Sequence, residues 1–97
     1  MLTGKQRAQL RALANTAETI VYIGKSGVTE NVVKQAADAL RARELIKGKV
    51  QENAMLTARE ACDALAEATG AEGVQVIGSR FVLYKQNEEE PRIKLGK

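Results

Sequence analysis

Residues Glu18-Thr19-Ile20-Val21-Tyr22-Ile23-Gly24-Lys25-Ser26-Gly27-Val28-Thr29 decide the fold of this chain. The first six contain a β-branched and aromatic run without polar alternation, which predicts an interior strand covered on both faces or nearly so. Two glycines then break the strand, and Thr29 can cap a helix whose buried side carries Val32, Ala36 and Leu40. The predicted order is therefore strand, glycine loop, helix.

Two further elements flank this unit. Thr3 and Gln6 have the spacing of a capping box, so a first helix begins there and ends near Ala14. After the central helix, residues 44–51 alternate in character, with two lysines on one face and apolar residues or glycine on the other. This alternation predicts a half-buried strand with a basic outer side.

The C-terminal half adds a helix and a hairpin. Thr57 and Glu60 form a second capping box, and Gly70 is placed to end the helix that begins there. Residues 73–77 and 80–85 predict two short strands, joined by a Gly-Ser dipeptide that suits a type II′ turn. The last two strands should therefore be antiparallel.

The element order is thus α-β-α-β-α-β-β, and 97 residues suffice for one domain. Strands separated by helices favour right-handed βαβ crossovers, so we expect an α/β domain with a mixed four-stranded sheet and helices layered on it. Residues 1–86 should form this domain. Residues 87–97 should form a polar C-terminal tail that is either flexible or extends a sheet edge through Ile93 and Leu95.

The composition excludes several functions. Histidine is absent, which removes Ser-His-Asp and Cys-His catalytic arrangements and His-containing zinc sites, so we expect no enzyme, metal, cofactor or small-molecule substrate. The lone cysteine, Cys62, excludes an internal disulfide and should pack in the core. No stretch approaches the roughly 18 consecutive apolar residues of a membrane span, and no secretory signal is recognisable, so a cytoplasmic protein is expected.

Charge is segregated along the chain. The net charge is +4 over residues 1–52, −3 over residues 53–72 and +2 over residues 73–97. Such a chain can present a basic face to a polyanion while an acidic face stays solvated. The acidic face is the outer side of the third helix, which is more simply a solvated surface than a metal site. Its acidic side chains are Glu60, Asp63 and Glu67.

The Gly24-Lys25-Ser26-Gly27 loop has the features of an anion site. Its glycines let the backbone lie close to a ligand, the next helix directs unpaired N–H groups and its positive dipole end at the loop, and Lys25 adds a full charge. A Walker A loop is excluded because its first glycine is replaced by Thr19, and a dinucleotide fingerprint because the third glycine is missing. A G-x-x-G loop against a sugar-phosphate backbone is the device of KH domains, while the plainer alternative is a tight turn.

Basic residues elsewhere could line a surface beside this loop. A solvated helix face is the plainer explanation of Arg7 and Arg11, and Lys47 and Lys49 could instead discourage edge pairing of their strand. The candidate contact residues are Gly24, Lys25, Ser26, Gly27, Thr29, Lys5, Arg7, Arg11, Lys47, Lys49, Arg80 and Lys85.

Aromatic residues total only 3%, which bears on the mode of recognition. Tyr22 and Tyr84 lie in predicted strands and should be buried, so the chain lacks a row of exposed rings for base stacking. Recognition should then depend on phosphates, 2′-hydroxyls and RNA shape, with strong salt dependence.

Several separated motifs resemble one family. These motifs extend over residues 1 to about 86. Their order and spacing look like those of the CRM domain (chloroplast RNA splicing and ribosome maturation) in its stand-alone bacterial, YhbY-like form. The motifs are Lys5-Gln6-Arg7 with Leu10, Arg11, Leu13 and Ala14; Val21-Tyr22-Ile23-Gly24-Lys25-Ser26-Gly27-Val28-Thr29-Glu30; Arg43-Glu44-Leu45-Ile46-Lys47; Val74-Gln75-Val76-Ile77-Gly78; and Phe81-Val82-Leu83-Tyr84.

The resemblance implies a compact two-layer α/β domain akin to the C-terminal domain of bacterial translation initiation factor three. It also implies RNA binding through the glycine loop and the adjoining basic surface, and association with precursors of the large ribosomal subunit. Two positions depart from the family. Ala17-Glu18 stand where a proline is common, which affects only the entry to the strand, and Gly48 stands where an apolar residue is common. Gly48 should leave a small gap or a close backbone approach in its strand.

The favoured hypothesis is a non-enzymatic RNA-binding protein that assists ribosome assembly, with ribosomal RNA of a large-subunit precursor as its partner. A protein-interaction adaptor acting through the acidic third helix is the alternative. A small nucleotide or phosphotransfer enzyme is disfavoured by Thr19 and by the absence of histidine.

Overall fold

The structure is a computed structural model that describes residues 2–91, 93 and 95. Its elements confirm the predicted α-β-α-β-α-β-β order. None of the described helices has the length and apolar character needed to cross a membrane. The elements are α1 (Gly4–Ala14), β1 (Thr19–Ile23), α2 (Glu30–Arg43), β2 (Leu45–Val50), α3 (Ala58–Thr69), β3 (Glu72–Ile77) and β4 (Arg80–Tyr84).

The four strands form one mixed sheet in the order β1-β2-β4-β3. β1 and β2 are parallel, whereas β4 runs antiparallel to both of its neighbours, β2 and β3. β1 is therefore an edge strand, and the prediction of an interior strand is wrong. β2 is paired on both sides, so the alternative in which Lys47 and Lys49 guard a free edge is also wrong.

Helices cover both faces of the sheet. α2 and α3 pack on one face, the α2–α3 face, whose core includes Leu40, Leu65 and Phe81. α1 packs alone on the opposite face, the α1 face, where Leu10 joins a second cluster with Tyr84. The α/β class and the mixed four-stranded sheet are confirmed. The layers number three, not the expected two, because α1 lies opposite the other helices.

The predicted helix ends are confirmed. The Thr3 hydroxyl accepts the Gln6 N–H at 3.1 Å, and the Gln6 side chain accepts the Thr3 N–H at 3.0 Å. Thr57 and Glu60 form the same reciprocal pair at the start of α3, at 3.1 and 2.9 Å. Gly70 ends α3 in the left-handed conformation, with φ of 76°. These caps satisfy N–H groups that the helices themselves leave unpaired.

Gly48 lies under the ring of Phe81. A Cβ atom built at Gly48 would lie 2.2 Å from Cζ, 2.6 Å from Cε2 and 2.8 Å from Cε1 of that ring. The register pairs the two residues directly across β2 and β4. The departure from the family pattern is therefore explained by packing, since the phenyl ring fills the space that a side chain would take.

The sheet has two distinct ends. The N–H of Val50 donates to the C=O of Ser79 at 2.7 Å, so β1 and β2 finish where the β3–β4 hairpin turns. We call this the loop end, because residues 24–27 follow β1 there. β4 finishes at the opposite end, where the N–H of Lys85 donates to the C=O of Glu44 at 2.9 Å.

The segment after β4 folds back toward the α1 face. The fully buried carboxylate of Glu44 accepts the N–H groups of Asn87 and Ile93, both at 2.7 Å. Ile93 and Leu95 pack against the cluster beneath α1. They form no strand, so the predicted edge extension is wrong for these two residues; positions 92, 94, 96 and 97 of the tail lie outside the described residues.

Candidate nucleic-acid interface

The 24–27 loop is one tight turn at the loop end. The N–H of Gly27 donates to the C=O of Gly24 at 3.0 Å, and Lys25 and Ser26 are exposed at its tip. Gly27 has φ of 73°, a conformation that residues with a Cβ rarely adopt, so the turn requires glycine there. A Cβ at Gly24 would meet only the flexible side chain of Gln51, at 3.2 Å. The backbone thus holds two polar side chains out in solvent.

The N-terminus of α2 adjoins this turn. The Thr29 hydroxyl accepts the N–H of Val32 at 3.3 Å, which confirms the predicted cap. Unpaired N–H groups at the positive end of a helix dipole favour anions. Among the described residues, the backbone N–H groups between Lys25 and Asn31 have no protein acceptor, except that of Gly27. Unpaired N–H groups and an exposed ammonium group are the kinds of donor that suit a phosphate.

Two exposed carboxylates lie beside the turn. Glu30 is in the first turn of α2, and Glu52 follows Gln51, the residue next to Gly24. Their charges oppose an anion at the turn, most strongly at low ionic strength. The turn is flanked by these groups, but its tip at Lys25 stays open to solvent.

One cross-strand row crosses the whole sheet next to the turn. The register pairs Tyr22 with Lys49, Lys49 with Arg80, and Arg80 with Ile77. We call these four residues the loop-end row. Because side chains alternate along strands, the row faces the α1 side, opposite the face on which Phe81 packs.

The loop-end row is left uncovered by α1. Tyr22 is 51% exposed and Ile77 is 65% exposed. The prediction that Tyr22 is buried is wrong, because β1 lies at the sheet edge and α1 packs on β2, β3 and β4. Tyr84, at the other end of the sheet, is 4% exposed and confirms its prediction.

A cavity of about 190 Å³ lies between the end of α1 and this row. Asn15 lines it from the helix, and Lys47, Gln75 and Arg80 line it from the sheet. Lys47 is two residues before Lys49 in β2, so the two lysines share this face, as their alternation predicts. The α1 face therefore carries three cations near the loop end.

The structure brings some of the predicted contact residues together. The turn residues, Thr29, Lys49 and Arg80 lie at the loop end, with Lys47 beside them. Arg11 lies in the last turn of α1 and is partly buried. Apart from Arg11, these residues belong to three separate segments, which the parallel β1–β2 pair and the hairpin place side by side.

The other predicted cations lie at the opposite end of the sheet. Arg7 donates from Nη1 to the C=O of Gly73 at 2.7 Å, and its Nη2 pairs at 3.3 Å with the carboxylate of the preceding residue. Lys85 donates from Nζ to the C=O of Thr69 at 2.7 Å, at the end of α3. Lys5 is exposed near the start of α1. Arg7 and Lys85 therefore connect elements of the fold by hydrogen bonds, and neither lies beside the 24–27 turn.

The acidic side chains of α3 lie across the sheet from the loop-end row. Glu60, Asp63 and Glu67 are exposed, and α3 packs on the α2–α3 face. Cys62 is 2% exposed on the inner side of this helix, which confirms its predicted core position. Burial raises the pKa of the Cys62 thiol, and Asp63 raises it further. Among the described residues, no group of three acidic or cysteine side chains could hold a metal ion.

Sequence reasoning missed two residues. The apolar neighbours of Tyr22 predict a core position, and only the strand order reveals that Tyr22 lies on an open face. The alternation over residues 44–51 predicts that Glu44 begins a strand, but Glu44 adopts φ of 64° at the end of α2 and buries its carboxylate. A charged residue directly between a helix and an apolar strand was the available signal for Glu44.

Comparison with known proteins gives the family of this chain. The family model described as the CRS1 / YhbY (CRM) domain matches residues 2–85. A Bacillus subtilis protein named "Probable RNA-binding protein YqeI" is 43% identical over 95 residues, covering 98% of this chain and 99% of its own length. A Haemophilus influenzae protein named "RNA-binding protein" is 38% identical over 88 residues, covering 91% and 89%.

A solved structure has the same fold. The solution structure of the hypothetical protein SAV1595 from Staphylococcus aureus aligns with a TM-score of 0.82 at 47% sequence identity. The alignment covers 99% of this chain and 100% of that one. Since both the family model and the shared fold extend over nearly its whole length, this chain belongs to the CRS1/YhbY (CRM) domain family.

Proposed function

We propose that this protein binds structured RNA with the loop end of its sheet and assists assembly of the large ribosomal subunit. The observation that carries the proposal is the 24–27 turn, where unpaired backbone N–H groups and the exposed Lys25 lie together at the N-terminus of α2. A sugar-phosphate backbone suits such a site, because N–H groups and one ammonium group contact phosphates without reading bases. The names of the two relatives support RNA as the ligand.

The cations of the α1 face extend this site. Lys47, Lys49 and Arg80 lie on one face near the turn, and no carboxylate interrupts the loop-end row. With Lys25, they offer four phosphate contacts. Release of the corresponding counterions predicts a log–log salt slope of about −3 for the binding constant.

A charge reversal at the turn tests the proposal. A variant with both Lys25→Asp and Ser26→Asp should lose binding to a structured RNA in fluorescence anisotropy, with an unchanged circular dichroism spectrum. Arg41→Asp is a control, because it reverses an exposed charge in the last turn of α2, at the end of that helix opposite the 24–27 turn. Equal affinities of the turn variant and the wild type would reject the turn as the RNA site.

The ribosomal part of the proposal has its own test. In a sucrose gradient of a lysate, the wild-type protein should sediment with a large-subunit precursor, and the turn variant should remain at the top. Complexes that survive RNase and tolerate the turn variant would instead favour a protein partner on the acidic side of α3.

A further inference from the structure

We infer that an unpaired nucleobase stacks on Tyr22, so that the loop-end row binds a single-stranded segment of RNA. The inference rests on the proposed function and names the kind of RNA that this surface takes. It adds base stacking to a site whose other contacts are to phosphates.

Tyr22 has the placement of a stacking platform. It is 51% exposed, whereas its neighbours Val21 and Ile23 are fully buried on the other side of β1. The backbone beneath the ring is held by the β1–β2 ladder. An aromatic side chain with two rotatable bonds on a fixed strand loses little conformational entropy when a ligand covers it.

The charges around Tyr22 suit a polynucleotide. Lys49 lies directly across from Tyr22 on β2, and Arg80 lies one strand further. With neighbouring strands about 4.8 Å apart, these cations lie about 5 and about 10 Å from Tyr22 along the row. An aromatic ring flanked by cations is the combination with which proteins bind single strands, because the ring takes the base and the cations take the phosphates.

The row is continuous with the proposed phosphate site. Tyr22 is two residues before Gly24 on the same strand, which is about 7 Å along it. A nucleotide stacked on Tyr22 therefore has its backbone within reach of the turn. On the other side of the row, the cavity of about 190 Å³ offers the amide of Gln75 beside Lys47, which can donate to and accept from a base edge.

Polyanion binding explains this surface better than a protein contact. The two exposed apolar residues of the loop-end row, Tyr22 and Ile77, lie at opposite edges of the sheet with Lys49 and Arg80 between them. They form no continuous apolar patch of the kind that marks a protein interface. The charged centre of the row would have to be desolvated against a protein partner, whereas RNA phosphates pair with it.

The experiment compares two substitutions of Tyr22 on two oligonucleotides. Tyr22→Thr removes the ring but keeps strand propensity, and Tyr22→Phe keeps the ring. Tyr22→Thr should weaken binding to a single-stranded oligoadenylate by about 5- to 150-fold, the range for one stacked base, while Tyr22→Phe stays within about twofold of wild type. On an abasic oligomer of equal length, which has phosphates but no bases, the three proteins should bind equally.

A fluorescent variant gives a second readout. The chain contains no tryptophan, so Tyr22→Trp introduces a single indole. Oligoadenylate should quench its emission by stacking, and the abasic oligomer should not. This measurement decides the question even if Tyr22→Thr lowers the stability of the fold.

Each outcome has one meaning. If Tyr22→Thr binds oligoadenylate as tightly as wild type and the indole is not quenched, the stacking inference is overturned while RNA binding by the turn stands. If the wild-type protein binds neither oligoadenylate nor structured RNA, the proposed function fails and the inference with it. Quenching together with the ring-dependent loss supports both.

Discussion

Substitution of Gly48 by alanine should destabilise the protein, contrary to the usual effect of this change. Glycine to alanine commonly stabilises by about 0.4–1 kcal/mol, because it restricts the unfolded chain. At Gly48 the new Cβ would lie 2.2 Å from Cζ of Phe81. Carbon atoms in contact are about 3.5–4.0 Å apart, so the ring would have to withdraw by about 1.3 Å or more.

The ring has little room to withdraw. Phe81 is 1% exposed on a strand that is paired on both sides, and it packs in the cluster that contains Leu65 and Ile46. Overpacking of such a core costs about 1–3 kcal/mol. This cost exceeds the ordinary gain, so we expect Gly48→Ala to lower the free energy of unfolding by about 1–3 kcal/mol.

Urea unfolding followed by circular dichroism measures this change. Gly4→Ala is the control, since a Cβ there meets nothing within 4 Å, and it should not destabilise. Phe81→Leu in the Gly48→Ala background should cost less than the sum of the two single changes, because the smaller side chain removes the clash. A Gly48→Ala protein as stable as wild type would refute the assignment of that space to the ring.

Three buried groups give further predictions. Tyr84→Phe should leave stability at pH 7 unchanged or raise it by up to about 2 kcal/mol, because the hydroxyl is buried without a partner among the described residues. Burial raises the pKa of the Tyr84 hydroxyl above 10.0, and Glu44 raises it further. As the pH rises, Tyr84 therefore loses its proton first in the unfolded state, so the free energy of unfolding of wild type should fall above pH 10 more steeply than that of Tyr84→Phe. Equal slopes of the unfolding free energy against pH, measured by urea titration, would contradict this. Glu44→Ala removes the acceptor of two backbone N–H groups, at about 1–3 kcal/mol each, and should speed hydrogen exchange at Asn87 and Ile93. Exchange at the wild-type rate would argue against that role. Because its pKa is raised by burial, the Cys62 thiol should react with iodoacetamide at pH 8 only after unfolding, and rapid labelling of the folded protein would be inconsistent with its position.

Most of the local structure is predictable from short-range signals. The caps at Thr3, Thr29 and Thr57 act within four residues, as does the Gly70 stop, so their chemistry is visible in the sequence. The place of a strand in the sheet depends instead on pairing between distant segments. The apolar run of β1 is compatible with an interior strand. It is equally compatible with an edge strand whose Val21 is buried on one face of the sheet. The side of the sheet that α1 covers cannot be predicted from the sequence for the same reason.

The candidate site likewise has a part that the sequence predicts and a part that it does not. The turn and the cap at Thr29 could be predicted, because two glycines and a capping residue specify them locally. The partners of Arg7 and Lys85 could not, since their carbonyl acceptors lie 66 and 16 residues away in the chain. A basic side chain does not reveal by its identity whether such an acceptor lies beside it. The exposure of Tyr22 required the strand order, and this is why the stacking inference depends on the structure.

The separation of the two sheet ends has a practical consequence for handling the protein. Arg7 in α1 bonds Gly73, and the amide of Ile93 donates to Glu44, so the start of α1 and Ile93 both lie away from the 24–27 turn. A purification tag, a fluorophore or a surface anchor fused ahead of α1 would therefore join the fold on the far side from the turn. Immobilised by such a fusion, the molecule would keep its loop end open to any ligand in solution.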